Sequence, residues 1–533
     1  MLSFSSYFSP GYLALYLPAA VLLYALAGQR GRRAVLLLFS YVCFWAVSGK
    51  LIAYLLLSTL SMYHTGLWLA HDQARTKELL EETPKEERRA LRARAQTKQR
   101  RILALGLLFQ LGMLVVLKYT PFFLSNYNAL LQALSLPVTL RIPHFLLPIG
   151  ISFYTMQAAS YLFDVYRQKV PADRNLFRLA LYLSFFPLLM EGPICRYQQT
   201  AQQLWEAPPL RYQNFMLGLQ RMSYGLLKKI LVADRLNLFI KTVFDHYEDY
   251  DGLVIAVAAV CYTIQLYMDF SGTMDLAVGA GRIFGFQIPE NFQRPFFSRS
   301  IPEFWQRWHI SLGTWFKDYI FYPVSMSKPL KKLTTKARKR LGSHYGPLVA
   351  GSIALLCVWL CNGLWHGAAW NYVFFGMYHF VLILMGNLTE PLTVRWTGAL
   401  GISRTSVPYR GFQMVRTGIL VCIGELFFRA NGLYNGLAMF HKMVTQFSLA
   451  CIRSGSLFQM GMRKKDFLLV AVFLVVLVLV GIAQERGVHL GTRLRQSPFA
   501  LRVAVYYAVL LALIIFGAYG AGYVPVDPIY AGF

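Results

Sequence analysis

Residues 291–322 read NFQRPFFSRSIPEFWQRWHISLGTWFKDYIFY. The stretch opens a helix with a capping signal. The Ser300 side chain can accept a bond from an orphan amide, and Glu303, three residues on, can reach back. Pro302 falls in the first turn, where its missing amide proton costs no bond. From there Trp305, Trp308, His309, Leu312, Trp315, Phe316 and Tyr319 recur at helical spacing as one broad apolar stripe. Glu303, Arg307, Thr314, Lys317 and Asp318 fall on the other side. The spacing predicts a helix with His309 on its aromatic face. Charges along its length make it a poor lipid-facing span. It is expected to lie against protein or to re-enter part-way, where protein or water covers its polar groups.

Working outward, a second histidine stands in Leu364-Trp365-His366-Gly367, inside an almost uncharged apolar region from 347 to 385. A titratable group at membrane depth is costly and usually marks function. Taken singly, a histidine on an apolar face is more often a satisfied core residue. Gly363 and Gly367 flank the Leu-Trp-His triplet. Glycine lets backbone or substrate approach closely, although small residues also simply pack membrane helices. Asn362 is placed to orient His366, to stabilise an oxyanion, or to make an ordinary interhelical bond. Asp269 and Asp275 read as paired carboxylates within the bundle, His379 as core, and Glu303 with Arg307 as a structural pair at helical spacing.

Composition sets the class. Of 533 residues, 56% are hydrophobic and 15% charged, and several apolar runs reach the length needed to cross a bilayer. The expected fold is all-α: a polytopic integral membrane protein of roughly eleven transmembrane helices plus re-entrant or interfacial helices. The net charge of +28 sits in short connections between apolar runs. That is the pattern that orients membrane proteins, not a nucleic-acid footprint. The seven cysteines lie mostly in apolar runs without a metal-ligand pair, so no metal is expected. The first nine residues lack a basic region, and no cleaved signal peptide is read. The chain shows no internal repeat, which counts against a transporter of inverted-repeat design.

The spans are read at 12–28, 34–48 and 51–70 (a hairpin broken at Gly49-Lys50), 102–117, 145–163, 176–190, 253–268, 372–385, 412–428, 467–483 and 503–516. Residues 71–101 read as a solvated cytoplasmic helix pair broken at Pro84. Residues 214–244 carry Lys228, Lys229, Asp234, Arg235 and Lys241, which suits an interfacial or cavity-lining helix. Basic runs at 30–33, 88–101, 328–340 and 463–465 mark cytoplasmic connections.

The wording of several stretches agrees with one family. PFFSRSIPEFWQRWHISLGTWFKDYIFYP at 295–323 and GLWHGAAWNYVFFGMYHF at 363–380 resemble the membrane-bound O-acyltransferase (MBOAT) superfamily. So do YMDFSG at 267–272, PENF at 289–292, LPIGISFY at 147–154, FFP at 185–187 with Gly192-Pro193, and the closing PIYAGF at 528–533. The chain looks most like the bacterial branch that modifies cell-surface polymers: the alginate O-acetylation membrane subunit, the D-alanyl transfer protein of teichoic acids, and peptidoglycan O-acetyltransferases. The resemblance is strongest over about 145–385. It implies one membrane-embedded domain over 1–533, an MBOAT-like bundle around a central cavity, with a catalytic core at 145–385 and peripheral helices at 1–144 and 386–533.

The resemblance also implies the chemistry. His366, the WHG histidine, and His309 would be catalytic. Asn362, Trp365, Gly367, Trp305 and Trp308 would bind substrate or support the site. No serine elbow of the GxSxG type is present, so direct transfer with a histidine general base is the simplest route. No bound cofactor is implied. The donor would be acetyl-CoA or an acyl carrier protein thioester from the cytoplasm. The acceptor would be a surface polysaccharide or an extracytoplasmic SGNH-type acetyl-transfer partner. Acetyl transfer is favoured over D-alanyl transfer. Membrane lipid surrounds the protein, and no nucleic acid is involved. A precursor transporter and a non-catalytic scaffold are the competing classes.

Overall fold

The structure is a computed structural model that describes residues 6–488, 490–519 and 526; the closing PIYAGF lies outside the described residues. Every regular element among the described residues is helical. Eight helices are long and apolar enough to cross a membrane: Gln29–Glu82, Arg88–Ala133, Gly252–Ile283, Lys328–His366, Trp370–Ala399, Val407–Arg429, Lys464–Glu485 and Phe499–Phe516. Two shorter apolar helices, Gly11–Leu26 and Leu176–Leu188, accompany them.

This is the all-α polytopic fold expected from the sequence, with the expected spans 34–48 and 51–70 both inside Gln29–Glu82; the differences lie in single elements. The expected span at 145–163 begins with coil, and its helix, Ile151–Tyr166, has 16 residues. At ~1.5 Å per residue such a helix falls short of a ~30 Å hydrocarbon layer. It is buried along almost its whole length, so its apolar residues serve the protein core. The expected span at 176–190 is interrupted after Ser184, where Phe185 leaves helical geometry ahead of Pro187. The break at Gly49-Lys50 is present: Gly49 takes a positive φ of 53° and starts a single 3₁₀ turn. The basic run at 328–340 is helical, the first part of Lys328–His366, which kinks at Gly342.

The chain forms two compact units. Among the described residues, one comprises 6–219 and 277–289. Its core is aromatic: Phe186 packs against Tyr12, Tyr16 and Phe284, and Tyr24 meets Phe284 edge-on. Asp173, buried in the coil before Leu176–Ser184, accepts from Arg178 Nη2 at 2.6 Å and from the Tyr197 hydroxyl at 2.7 Å.

The other unit comprises the described residues of 220–276 and from 290 onward, and carries both candidate histidines. The charged helix read at 214–244 runs on as one helix, with a π-helical stretch at Leu227–Ala233. A π turn shifts the register by a residue, and here two successive lysines both reach carboxylates on the Gly252–Ile283 helix. Lys228 Nζ lies 2.7 Å from Asp275, and Lys229 Nζ lies 2.6 Å from Asp269 and 3.0 Å from Asp234. Arg221 bridges Asp275 and Glu290, each at 2.6 Å. The helices approach closely because a Cβ on Gly225 would lie 2.5 Å from the Gly272 carbonyl oxygen. Asp269 and Asp275 are thus paired carboxylates, as the sequence reading had them.

Candidate functional site: a buried histidine pair

The aromatic stripe of 291–322 does not fold as one helix. Ile301–Arg307 ends at Trp308, which is extended at φ −113°, ψ 131°. His309 then takes a left-handed conformation at φ 46°, ψ 50°, and a second helix, Ile310–Phe316, begins. Histidine is among the residue types that tolerate this region better than most. His309 is therefore the N-cap of a short helix and not a mid-helix residue.

The physical reason for the break lies in Asn291. A helix start leaves backbone N–H groups without partners. Here Ile310 N–H donates to the Asn291 carbonyl at 3.0 Å, and Ser311 N–H donates to Asn291 Oδ1 at 2.9 Å. Gln293 N–H in turn satisfies the Arg307 carbonyl at 2.9 Å. The 291–293 segment replaces bonds an unbroken helix would have made. The N-terminal cap is as expected, with Ser300 Oγ accepting from Glu303 N–H, but Glu303 reaches the Arg299 amide instead of that of Ser300.

His309 is 2% exposed, and burial holds its imidazole down at about 3. Desolvation disfavours the charged ring, so His309 is neutral at ordinary pH. Its Nδ1 lies 3.3 Å from Asn291 Nδ2 and 3.4 Å from Asn291 Oδ1. Phe270 meets the ring edge-on at 4.8 Å between centroids.

His366 is the last residue of the Lys328–His366 helix and is 5% exposed. The chain leaves the helix at Gly367, where no side chain fits: a Cβ would lie 2.2 Å from the Tyr372 ring. Gly363 is equally constrained, its Cβ position lying 2.4 Å from the Tyr372 carbonyl oxygen. Asn371 Nδ2 contacts the carbonyls of Phe427, Phe428 and Ala430 at 3.3–3.4 Å. That ties the Trp370–Ala399 helix to the end of Val407–Arg429 and sets Phe428 against His366, at 5.2 Å between centroids.

The two histidine rings lie 6.4 Å apart between centroids. Trp365 contacts both, at 5.5 Å from His309 and 5.0 Å from His366. Asn362, one turn before His366 on the same helix, is buried, and its Oδ1 has no hydrogen-bond partner among the described residues. Of the remaining sequence candidates, Trp305 is half-buried and Trp308 buried. Trp305 donates Nε1–H to His379 Nδ1 at 3.3 Å and packs on Trp359 at 5.0 Å. Trp308 stacks on Phe304 and meets Phe292. His379 is fully buried in this aromatic cluster, as read from the sequence. Among the described residues no cluster of three metal-ligating side chains occurs.

Reasoning from the sequence passed over Asn291, Phe428 and Phe375, the last of which meets the His366 ring edge-on at 6.1 Å between centroids. Asn291 offered a signal: an Asx residue ahead of the aromatic stretch is a capping type, although its helix begins 19 positions later.

Fold and site define a multi-pass helical membrane protein built around a buried pair of imidazoles. It belongs to the MBOAT, membrane-bound O-acyltransferase, family, whose model matches residues 39–338, a span that includes Asn291 and His309. The chain is 33% identical over 434 residues to the Pseudomonas syringae pv. tomato protein named "Probable alginate O-acetylase AlgI", covering 81% of this chain and 74% of that one. It is 31% identical to the peptidoglycan O-acetyltransferase of Helicobacter pylori, over 64% of each chain. It is 29% identical to the teichoic acid D-alanyltransferase of Bacillus subtilis, over 59% of this chain and 77% of that one. The protein is an O-acyltransferase and a multi-pass protein of the bacterial cytoplasmic membrane.

Proposed function

We propose that the protein moves an acyl group, most simply acetyl, from a cytoplasmic thioester to hydroxyls of a cell-surface polysaccharide or of an extracytoplasmic relay protein of the SGNH type. The observation that carries the reading is the buried His309–His366 pair at 6.4 Å. The relatives with the higher identities are named as O-acetylating enzymes, which supports acetyl over D-alanyl.

In this reading His366 is the general base. It takes the proton of the attacking hydroxyl as the oxygen bonds to the thioester carbonyl carbon. The tetrahedral intermediate collapses, the carbon–sulfur bond breaks, and the imidazolium returns its proton to the departing thiolate. A neutral imidazole is the required starting form. His309 serves the same reacting group from the other side. Asn362 and Trp365 border it, and Gly367 lets the Tyr372 ring pack against the turn that follows His366. The donor is acetyl-CoA or an acyl carrier protein thioester, and no metal or bound cofactor takes part.

The test is the acyl ester released by mild alkali from the surface polymer of cells expressing the protein, identified as acetate or D-alanine. Ester-linked acetate that depends on the intact protein supports the reading. D-alanine in its place moves the assignment to teichoic-type transfer within the same fold, and no ester of either kind removes the reading.

A further inference from the structure

Asn291 does more than start a helix. Its side-chain amide has one oxygen and two N–H groups, and the surroundings fix which end points where. Oδ1 accepts from the Ser311 backbone N–H at 2.9 Å, a donor that cannot be anything else. Nδ2 contacts Met274 Sδ at 3.3 Å, a weak acceptor suited to an N–H and not to a carbonyl. Both contacts select the same amide orientation.

The remaining neighbour is His309 Nδ1, nearer to Nδ2 at 3.3 Å than to Oδ1 at 3.4 Å. Oδ1 is already satisfied by Ser311, whereas Nδ2 has a second hydrogen to place in a buried setting. Asn291 is 1% exposed, and a buried N–H without an acceptor costs about 1–3 kcal/mol. The balance of donors therefore makes His309 Nδ1 the acceptor. A neutral imidazole that accepts at Nδ1 carries its proton on Nε2.

We propose that Asn291 is a positioning residue that holds His309 in the Nε2–H tautomer, so that His309 acts as a hydrogen-bond donor to the reacting acyl group and leaves proton abstraction to His366. The role part rests on the functional reading above; the tautomer part does not. A donor placed where negative charge develops on the carbonyl oxygen stabilises the transition state without changing its own protonation. The two histidines then differ in task because their neighbours differ. One is clamped by an amide that donates, and the other closes a helix beside aromatic rings.

Asn291→Asp separates cap from tautomer. The carboxylate still accepts from Ser311 N–H, so the helix start is kept. It has no donor, so it draws the proton to His309 Nδ1. The full-length protein, ¹⁵N-labelled at histidine and reconstituted in lipid nanodiscs, is compared by NMR with a His309→Gln sample that assigns the signals. In the wild type, His309 Nδ1 is expected pyridine-like and Nε2 pyrrole-like, and in Asn291→Asp the two exchange. At equal protein level and unchanged thermal midpoint, acyl ester in expressing cells should fall about 10²–10³-fold, the loss typical of removing one oxyanion donor.

A pyrrole-like Nδ1 in the wild type overturns the proposal. So does an exchanged tautomer with undiminished ester while His366→Ala is dead, a result that leaves the functional reading standing. Full activity of His366→Ala instead defeats the functional reading and the role given to His309, while the wild-type spectrum still decides the tautomer.

Discussion

The rings of His309 and His366 lie 6.4 Å apart, although one caps a seven-residue helix and the other ends a 39-residue one. Each imidazole is set by a break in its helix. At His309 the chain turns left-handed, and at His366 it opens onto Gly367.

His309→Gln tests whether that ring only packs. Glutamine keeps approximate size and some hydrogen bonding but cannot hold a donor where the ring holds Nε2. Acyl incorporation is expected to fall about 10²-fold with the thermal unfolding midpoint unchanged. Retention of most activity would assign His309 to packing.

The lysine–carboxylate ladder should show an order of costs. Lys229→Met leaves Asp269 buried without its cation and also removes a partner of Asp234, and is expected to destabilise by about 3–5 kcal/mol. Lys228→Met costs less, because Arg221 still pairs with Asp275. Thermal unfolding in detergent micelles ranks the two, and the reverse order would contradict the pairing described.

Much of this was legible in the chain. Runs of apolar residues announced the membrane helices, and Asp269 and Asp275 read as paired because a lone carboxylate there is too costly. Both histidines were marked by their surroundings. What the sequence hid were effects of tertiary bonding. Helical spacing across Trp305–Tyr319 is genuine, and most of those residues are buried. The stripe nevertheless breaks at His309, because Asn291 supplies the bonds that let a second helix begin. The apolar residues of 151–166 likewise match a span by composition, yet they pack inside protein. Hydropathy reports how apolar a segment is, not whether lipid or protein covers it.

Close helix contact beside His366 should be intolerant of a methyl group. A Cβ on Gly376 would lie 2.3 Å from the Trp359 carbonyl oxygen, whereas Gly386 on the same helix has open space. Gly376→Ala is expected to lose about 1–3 kcal/mol through overpacking and to lower acyl incorporation by displacing His366. Gly386→Ala should be neutral or stabilising, since alanine is the better helix former. Equal behaviour of the two in unfolding and activity assays would argue against this packing.

The basic segment before Gly342 is expected on the cytoplasmic side. Lys336 is exposed, so Lys336→Cys should react with a membrane-impermeant maleimide only after the cells are permeabilised. Labelling in intact cells would reverse the orientation.

The central claim is that His366 is the base of acyl transfer. The direct measurement is ester-linked acyl group on the surface polymer in cells producing His366→Ala, set beside His344→Ala, an exposed histidine on the same helix. At equal membrane levels of protein, His366→Ala is predicted to lose about 10²–10⁴-fold in rate, while His344→Ala matches the wild type. Wild-type incorporation by His366→Ala would contradict the account.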